Sequence, residues 1–572
     1  MAQKLAERAV LPAGRLTHCM ENWRRITQDQ WVLETVRGFR IPFVSDPRQR
    51  QQPRQLCLSK EGEALLEVEI QEMLEKGAIQ ESRTGRGFVS NVFLVPKKDR
   101  GQRPVINLKK LNEYVHTEHF KMEGIHLLKD LLRKGDWMTK VDLKDAYFMV
   151  PIHREDRDFL KFICRDKCYK FNCLPFGLAC APWVFTKVLK PVAARLRELS
   201  VRMIVYIDDM LIIAETPELL RDHTMGLIYL LENLGFIIGY KKCVLEPTQS
   251  IDFLGFMVDS TKQELRLPAE KMKKIRAEAR KLSTSVSITA RKLSQFLGKL
   301  NAATRAVPVA PLFYRNLQAA LGRALLAGAQ DYSVSMEVTP NMREELQWWE
   351  EHLSQWNGRT LVTEKPSVVI ETDASKKGWG ATSQGVRTGG PWSSSESSMH
   401  INCLEALAAF LAIKCFARDR RSVTILLRMD NMSAVTYVNK LGGTVSQNLT
   451  AITKNLWLWC LQRDISLIPE HLPGVQNTIA DEESHMMKDR TDWKLNPEVF
   501  RQINRRLSPL TVDLFASHLT TQLFSWRPDP EAEALNAFSQ QWDKRREGRD
   551  TPPPRGAWWG KPCPMYELKQ QP

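Results

Sequence analysis

No apolar run in the chain approaches the ~18 residues that a membrane-spanning helix requires. No membrane partner is therefore expected. The opening MAQKLAERAVLPAGRL has neither a continuous apolar centre nor a small-residue cleavage site, so no secretory leader is read there. Cysteine is thinly spread. The densest of its eleven positions are Cys164, Cys168, Cys173 and Cys180, and no histidine completes a zinc-finger spacing around them. The thiols are expected to be reduced, in a cytoplasmic or nuclear protein. No internal repeat is visible.

Negative charge is in deficit. Lys and Arg number 82 against 66 Asp and Glu, a net charge of +16. That sign favours a polyanionic partner. The excess is concentrated: residues 262–305 carry twelve Lys or Arg against three acids, with apolar residues at helical spacing. A pair of amphipathic helices with a solvated basic face is the plain reading. Beside a catalytic acid cluster, the same face suits a phosphate backbone.

At 572 residues the chain has room for about three to five domains of ~100–200 residues. Residues 1–60 mix helix and loop. Residues 61–76 have helical periodicity, stopping at Gly77. Residues 88–95 and the stretch near Val105 read as strands about the basic turn KKDRGQRP. Residues 138–152 read as strand, turn and helix start, and 219–234 as a helix stopped by Gly235. Short strands follow to Val258. From Ser367, strands and helices gather round a second set of acids. After Asp489 the chain is read as irregular, and its last residues, RDTPPPRGAWWGKPCPMYELKQQP, are expected to be disordered.

The strongest single signal is MIVYIDDMLIIA. Asp208 and Asp209 interrupt an apolar run, which reads as two strands joined by a tight turn with the acids at its tip. Two like charges there repel, and a divalent cation removes that cost. An isolated Asp-Asp pair is more often an exposed turn. Here TKVDLKDAYFMVPI lies upstream and ends a short strand at Asp142. Three carboxylates on adjacent strands suit two Mg²⁺ ions, or Mn²⁺ in their place, one activating a 3′-hydroxyl and one gripping a triphosphate.

VDLKDAYF, YKFNCLPFGLACAPWVFTKVL, YIDD, LGFIIGYKKC and IDFLGFMV follow in the order and spacing of reverse-transcriptase motifs. Residues 61–305 resemble that family. The resemblance implies a right-hand polymerase of fingers, palm and thumb. It implies Asp142, Asp208 and Asp209 as catalytic carboxylates, Asp209 being the least direct. The backbone at Asp145 and Ala146 would meet the triphosphate. Tyr147 would lie under the sugar and clash with a 2′-hydroxyl, favouring dNTPs; on its own it reads as a core aromatic. Lys97 and Arg103 match phosphate-gripping residues of the fingers, and otherwise read as exposed basic residues. Phe176 and Gly177 would flank the incoming nucleotide and template. Lys242 matches a lysine proposed to protonate pyrophosphate, and residues 253–258 a hairpin holding the primer end.

A second constellation follows. Asp373 ends the apolar run of VVIETDASKKGWGA, and Glu405 sits early in the helix INCLEALAAFLAI. Asp430 ends VTILLRMD, and Asp481 precedes a helix in HLPGVQNTIADEESH. Four acids at strand ends and helix starts suit a second two-metal site that cuts a phosphodiester with water. Residues 367–489 resemble ribonuclease H. That likeness implies Asp373, Glu405, Asp430 and Asp481 as the metal ligands and His471 as a mobile histidine assisting turnover, where the plain alternative is an idle loop histidine. The ending ADEESHMMK departs from the usual A-D-x-L-S-R, which leaves the last helix in question.

The expected architecture is therefore α/β, a right-hand polymerase followed by a ribonuclease H-like domain. Its boundaries are an N-terminal extension 1–60, fingers and palm 61–260, thumb and connection 261–365, ribonuclease H 366–490, and a C-terminal extension 491–572. RNA template, DNA primer, RNA–DNA hybrid and dNTPs are the implied partners. Residues 14–43 and 512–542 resemble the flanks of DIRS-type retrotransposons, which integrate by a tyrosine recombinase. The simpler reading of Trp23, Trp31, Trp526 and Trp542 is as packing anchors. No Asp-Ser/Thr-Gly protease motif, integrase-like His/Cys cluster or recombinase domain is visible, so an element-encoded recombinase would lie on another chain. The competing expectation is a decayed or domesticated copy that binds nucleic acid without catalysis. A telomerase-like or RNA-copying RNA polymerase would leave the linked nuclease unexplained.

Overall fold

The structure is a computed structural model that describes residues 11–49, 51, 53, 59–83, 87–96, 102–165, 167–362, 365–485 and 497–506. Contacts divide it into two units, Met1–Lys365 with Leu441–Gln447, and Pro366–Lys440 with Asn448–Pro572. Each is described by itself.

The first unit is built on an antiparallel sheet in the order Val244–Thr248, Trp137–Asp142, Asp209–Ala214, Arg202–Tyr206. Met210, Leu211, Ile212 and Ile213 are all buried, so both faces of their strand are covered. That is why the run reads as continuously apolar rather than alternating. The helix Pro217–Asn233 packs on this sheet, and the hydroxyls of Thr139 and Thr224 meet at 2.6 Å in the buried contact. Thr216 caps the helix through the Leu219 amide, and Pro217 occupies a first-turn position where no amide hydrogen is needed.

The core of this unit does not begin at residue 61. Leu16, Trp23, Val32, Val36 and Phe39 are buried in the same apolar cluster as Phe185, Leu231 and Phe236. Trp23 is 0% exposed, its indole Nε1 donates to the Leu234 carbonyl at 3.1 Å, and its ring meets Phe236 edge-on. Phe39 bridges to Ile152, and Phe43 to Val115. Trp31 packs edge-on against Trp183, with Lys187 Nζ 4.0 Å above its ring. Residues 14–43 are thus part of the fold that follows. Trp526 and Trp542 lie outside the described residues.

Residues 88–95, read as one strand, divide at Asn91. Val89–Ser90 joins the sheet Ile79–Ser82, Lys167–Phe171, Lys161–Cys164, whereas Val92–Pro96 pairs with Gln102–Ile106. The Asn91 carbonyl accepts the Asn107 amide at 2.7 Å, which carries the chain from one sheet to the other. The basic segment forms the helices Ala269–Ser283 and Ala290–Ala303. Ile275, Ala279 and Leu282 are buried, while Lys273, Lys274, Arg276 and Lys281 are exposed. This is the outward basic face that the periodicity predicts. Phe313 and Trp348 stack at 3.9 Å behind it. The buried Glu345 accepts the amides of Asn316 and Leu317, capping the helix Arg315–Ala327.

The second unit has a five-stranded sheet in the order Val386–Pro391, Gly378–Ser383, Val368–Ala374, Val423–Met429, Ile465–His471. The last three strands are parallel and the first three antiparallel. The helix Ile401–Phe416 is apolar on nearly every side and is buried accordingly. After Asp489, where irregular chain was expected, Pro497–Arg506 is a helix. Its Pro start, its Glu, Gln and Arg content and the helical spacing of Val499, Phe500 and Ile503 suit a helix. The nine described cysteines are free thiols.

Candidate active sites

In the first unit, Asp142 pairs with Asp209 across the two central strands, and Tyr206 pairs with Asp209 across the hairpin. Ile207 and Asp208 are therefore the two-residue turn. Ile207 has φ 54°, a left-handed conformation costly for a β-branched residue. The Leu143 amide, donating to the Asp208 carbonyl at 3.0 Å, helps hold it. The strained turn presents Asp208 beside Asp142. Both line a cavity of about 690 Å³, together with Asp145, Ala146, Tyr147, Phe176 and Lys242. Asp209 is not among its lining residues.

Asp142 is 5% exposed, and its Oδ1 has no hydrogen-bond partner. Nζ of Lys242 stands 3.7 Å from that oxygen. Burial, reinforced by Asp208 and Asp209 and opposed by Lys242, pushes the Asp142 carboxyl up to about 6. The carboxylate occupies space that only glycine leaves: a Cβ on Gly239 would lie 2.6 Å from Asp142 Oδ1. The Gly239 amide donates to the Asp142 carbonyl at 2.7 Å, and the Asp142 amide to Cys243 Sγ at 3.2 Å. An orphaned, buried carboxylate oxygen facing further acids fits a hard divalent cation.

Asp145 has φ 51°. Tyr147 is 8% exposed and packs against Phe176 at 5.0 Å and Phe185 at 5.5 Å, forming an aromatic floor. Burial pushes its hydroxyl up to about 12, so it stays protonated. Asn112 fastens the loop beside Phe176, donating to the Gly177 carbonyl at 3.0 Å and accepting the Ala179 amide at 2.9 Å. Arg103 lies on the strand Gln102–Ile106 opposite Val95. Lys97 lies outside the described residues. Residues 253–258 turn between the paired strands Ser250–Phe253 and Phe256–Asp259. Sequence reasoning missed Lys76, which ends the helix Lys60–Glu75 and reaches Asp145 Oδ1 at 3.4 Å. Glu72 and Lys76 also line the cavity; nothing local in a helix end announces that.

In the second unit, one ligand atom each from Asp373, Glu405 and Asp430 lie within 4.8 Å of one another. Asp142, Asp208 and Asp209 form no such trio. Asp373 is on the central strand, Asp430 directly follows its parallel neighbour, and Glu405 sits one turn into the buried helix. Burial beside Asp373 and Asp430 pushes Glu405 up to about 9, and its Oε2 has no hydrogen-bond partner. Burial also raises Asp373 and Asp430. Three crowded carboxyls, one raised chiefly by burial and further by its neighbours, fit a divalent cation that would relieve them all.

Asp481 was expected before a helix and lies inside one, Thr478–His485. The helix lies close against the sheet. A Cβ on Gly380 would fall 2.5 Å from the Ser484 amide and 2.6 Å from Glu483 Cβ, so this strand position must lack one. Ser484 Oγ donates to Asp373 Oδ2 at 2.7 Å, and Asn477 Nδ2 donates to the Thr372 carbonyl at 2.9 Å. Ser484, Asn477 and His485 were not singled out from sequence; the four-residue spacing of Asp481 and His485 was the available signal. His471 ends its strand and is exposed, its Nε2 3.0 Å from the Asp430 carbonyl.

The architecture is a right-hand polymerase fold with a ribonuclease H-like region. Residues 95–258 match the family model described as reverse transcriptase (RNA-dependent DNA polymerase), so this part of the chain is a reverse-transcriptase domain. The chain is similar to the enzymatic polyprotein of carnation etched ring virus, 25% identical over 481 residues, covering 79% of this chain and 66% of that one. It is similar to the enzymatic polyprotein of cauliflower mosaic virus (strain Strasbourg), 24% identical over 472 residues, covering 79% and 64%. It thus spans about two thirds of the length of these relatives. Among solved structures, a foamy viral protease-reverse transcriptase in complex with dsDNA aligns with a TM-score of 0.50 at 17% identity, covering 76% of this chain and 87% of that one. Among the described residues, no helix is long and apolar enough to cross a membrane.

Proposed function

We propose that the chain copies RNA into DNA and degrades the RNA strand of the resulting hybrid, using Mg²⁺ or Mn²⁺ at both centres. The observation that carries the reading is the pairing of Asp142 with Asp209 beside the strained Ile207-Asp208 turn, in a cavity that Tyr147 and Phe176 also line. Divalent ions bound there would supply Lewis-acid activation and charge neutralisation. Asp142 and Asp208 would hold them, and Asp209 would support the turn. The αL turn at Asp145 leads into Ala146, where backbone amides meet a triphosphate. Tyr147 fills the space a 2′-hydroxyl needs, which selects dNTPs over rNTPs. Lys242, whose Nζ is 3.7 Å from Asp142 Oδ1, would give a proton to leaving pyrophosphate, and Lys97 and Arg103 would grip the phosphates.

Asp373, Glu405, Asp430 and Asp481 would hold the ions of the second centre, with water as the nucleophile. His471 would assist product release. The basic face of residues 262–305 suits the backbone of a template–primer duplex. A retrotransposon source, and a DIRS-type element in particular, rests on the likeness of residues 14–43 and 512–542; the latter lie outside the described residues.

Primer extension on an RNA template with Mg²⁺ and dNTPs tests the reading, with hybrid cleavage measured in parallel. Asp208→Asn is expected to abolish extension and keep cleavage. Equal loss of both would remove the two-centre assignment, and no extension by the unaltered chain where a control enzyme works would remove the polymerase.

A further inference from the structure

The helix Lys60–Glu75 stops at Lys76, and Gly77 follows at φ 70°, turning the chain away and leaving the lysine side chain at the helix end. Its Nζ lies 3.4 Å from Asp145 Oδ1 and 3.7 Å from Glu72 Oε2. The Lys76 and Asp145 side chains are 28% and 19% exposed, so water screens the pair only in part. The second carboxylate oxygen of Asp145, Oδ2, is buried and has no hydrogen-bond partner. Asp145 itself holds φ 51°, a left-handed conformation that costs a residue with a Cβ. Its carbonyl accepts the Phe148 amide at 2.9 Å, which closes the buried turn Ala146–Met149. The backbone at both ends of this contact is tied to one earlier segment. Two consecutive amides reach across: Ala13 donates to the Lys76 carbonyl at 3.1 Å, and Gly14 to the Phe148 carbonyl at 2.8 Å. The helix end and the turn are thus joined twice, by a side-chain pair and by the Ala13-Gly14 backbone.

We propose that Lys76 is a positioning residue of the nucleotide pocket: it holds the Asp145 carboxylate and so fixes the left-handed turn whose backbone amides receive the triphosphate. The nucleotide as ligand rests on the polymerase reading; the brace itself does not. Asp145 divides its work between a backbone that meets the ligand and a side chain by which the turn is held. Glu72 and Asp145 together balance the ammonium charge, so Lys76 acts through the turn and not as a further phosphate ligand. A turn set in advance spares the nucleotide the cost of ordering it. Loss of the brace therefore weakens nucleotide binding and leaves the chemical step nearly untouched, because the competent pocket forms less often but is unaltered once formed.

Hydrogen exchange of the 145–149 amides is measured on the full-length chain without nucleotide, and primer extension is followed against dNTP concentration. Lys76→Met keeps the length of the side chain and removes its charge. Its turn amides are expected to exchange about 5–10-fold faster. KM for dNTP should rise by about the same factor, with kcat changed less than about twofold. Lys76→Arg restores both. Asp145→Gly takes the left-handed conformation without cost, and in that background Lys76→Met is expected to have no further effect on exchange or KM. Unchanged exchange in Lys76→Met overturns the proposal, and so does equally faster exchange in the strand Arg202–Tyr206, which would mark a general loss of stability. A KM rise of the same size in the Asp145→Gly background also overturns it, since Lys76 would then touch the phosphates directly. Faster turn exchange in Lys76→Met, with no extension by the unaltered chain, would remove the polymerase reading and keep Lys76 as the brace of the turn.

Discussion

Ser484 donates a 2.7 Å hydrogen bond to Asp373 Oδ2, joining a helix to a strand 111 residues earlier in the chain. Both partners are buried. Asn477 Nδ2 stands 3.5 Å from the other carboxylate oxygen of Asp373, and the Ser484 bond lowers a carboxyl that burial raises. Ser484→Ala removes a bond to a charged group, worth about 1.5–3 kcal/mol. Hybrid cleavage is expected to fall while primer extension is unchanged. A proportional fall in both would show a general folding defect instead.

Gly239→Ala tests the cradle of Asp142. The added Cβ lies 2.6 Å from the carboxylate oxygen, and the Gly239 amide is tied to the Asp142 carbonyl, so neither side yields freely. A displacement of about 1 Å at reacting groups costs on the order of 10²-fold. Single-turnover extension should drop by about that factor, with cleavage as the internal control. Full extension activity would show that Asp142 tolerates another position.

Glu405 makes stability depend on pH with a definite sign. Its carboxyl is held at about 9 against an ordinary 4.5. Between those values the unfolded chain has released a proton that the folded chain keeps, so stability falls as pH rises through the window. Glu405→Gln stays neutral. In a chelator at pH 8, its melting temperature should exceed that of the unaltered chain by about 2–4 °C, with no difference near pH 4. Added Mg²⁺ should stabilise the unaltered chain and not the variant. The reverse ordering at pH 8 would contradict the burial of an unrelieved carboxyl.

Trp23→Ala probes whether residues 14–43 belong to the polymerase core. The ring is fully buried against Phe236 and hydrogen-bonded to Leu234. Emptying that space costs about 3–5 kcal/mol. Denaturant unfolding should show the polymerase unit lost first, and extension should become heat-labile. An unchanged midpoint would mean that this segment only rests on the surface.

The hairpin carrying Asp208 and Asp209 was legible because local period and charge coincide. An apolar run broken by two acids allows few structures; the pattern put both acids at the tip, whereas the register places Asp208 in the turn and Asp209 at the start of the second strand. Glu345 was harder to read. A lone glutamate on an amphipathic helix reads as solvated, and only the fold shows it buried as the cap of another helix. Lys76 was invisible for the same reason: its partner Asp145 is 69 residues away. The division at Asn91 was hidden because both halves have the same strand composition, and pairing partners alone separate them.

By itself the sequence determined which acids are present, the strands and helices that carry most of them, and the tight turn that exposes Asp208. These depend on neighbours within a few residues, where steric and periodic rules act strongly. Tertiary structure alone decided how deeply Asp142 and Glu405 are buried and so how far their carboxyls are raised. It also decided that Trp23 closes the first core and that Ser484 joins Asp373. Those outcomes depend on which distant surfaces exclude water together, and a one-dimensional pattern does not carry that information.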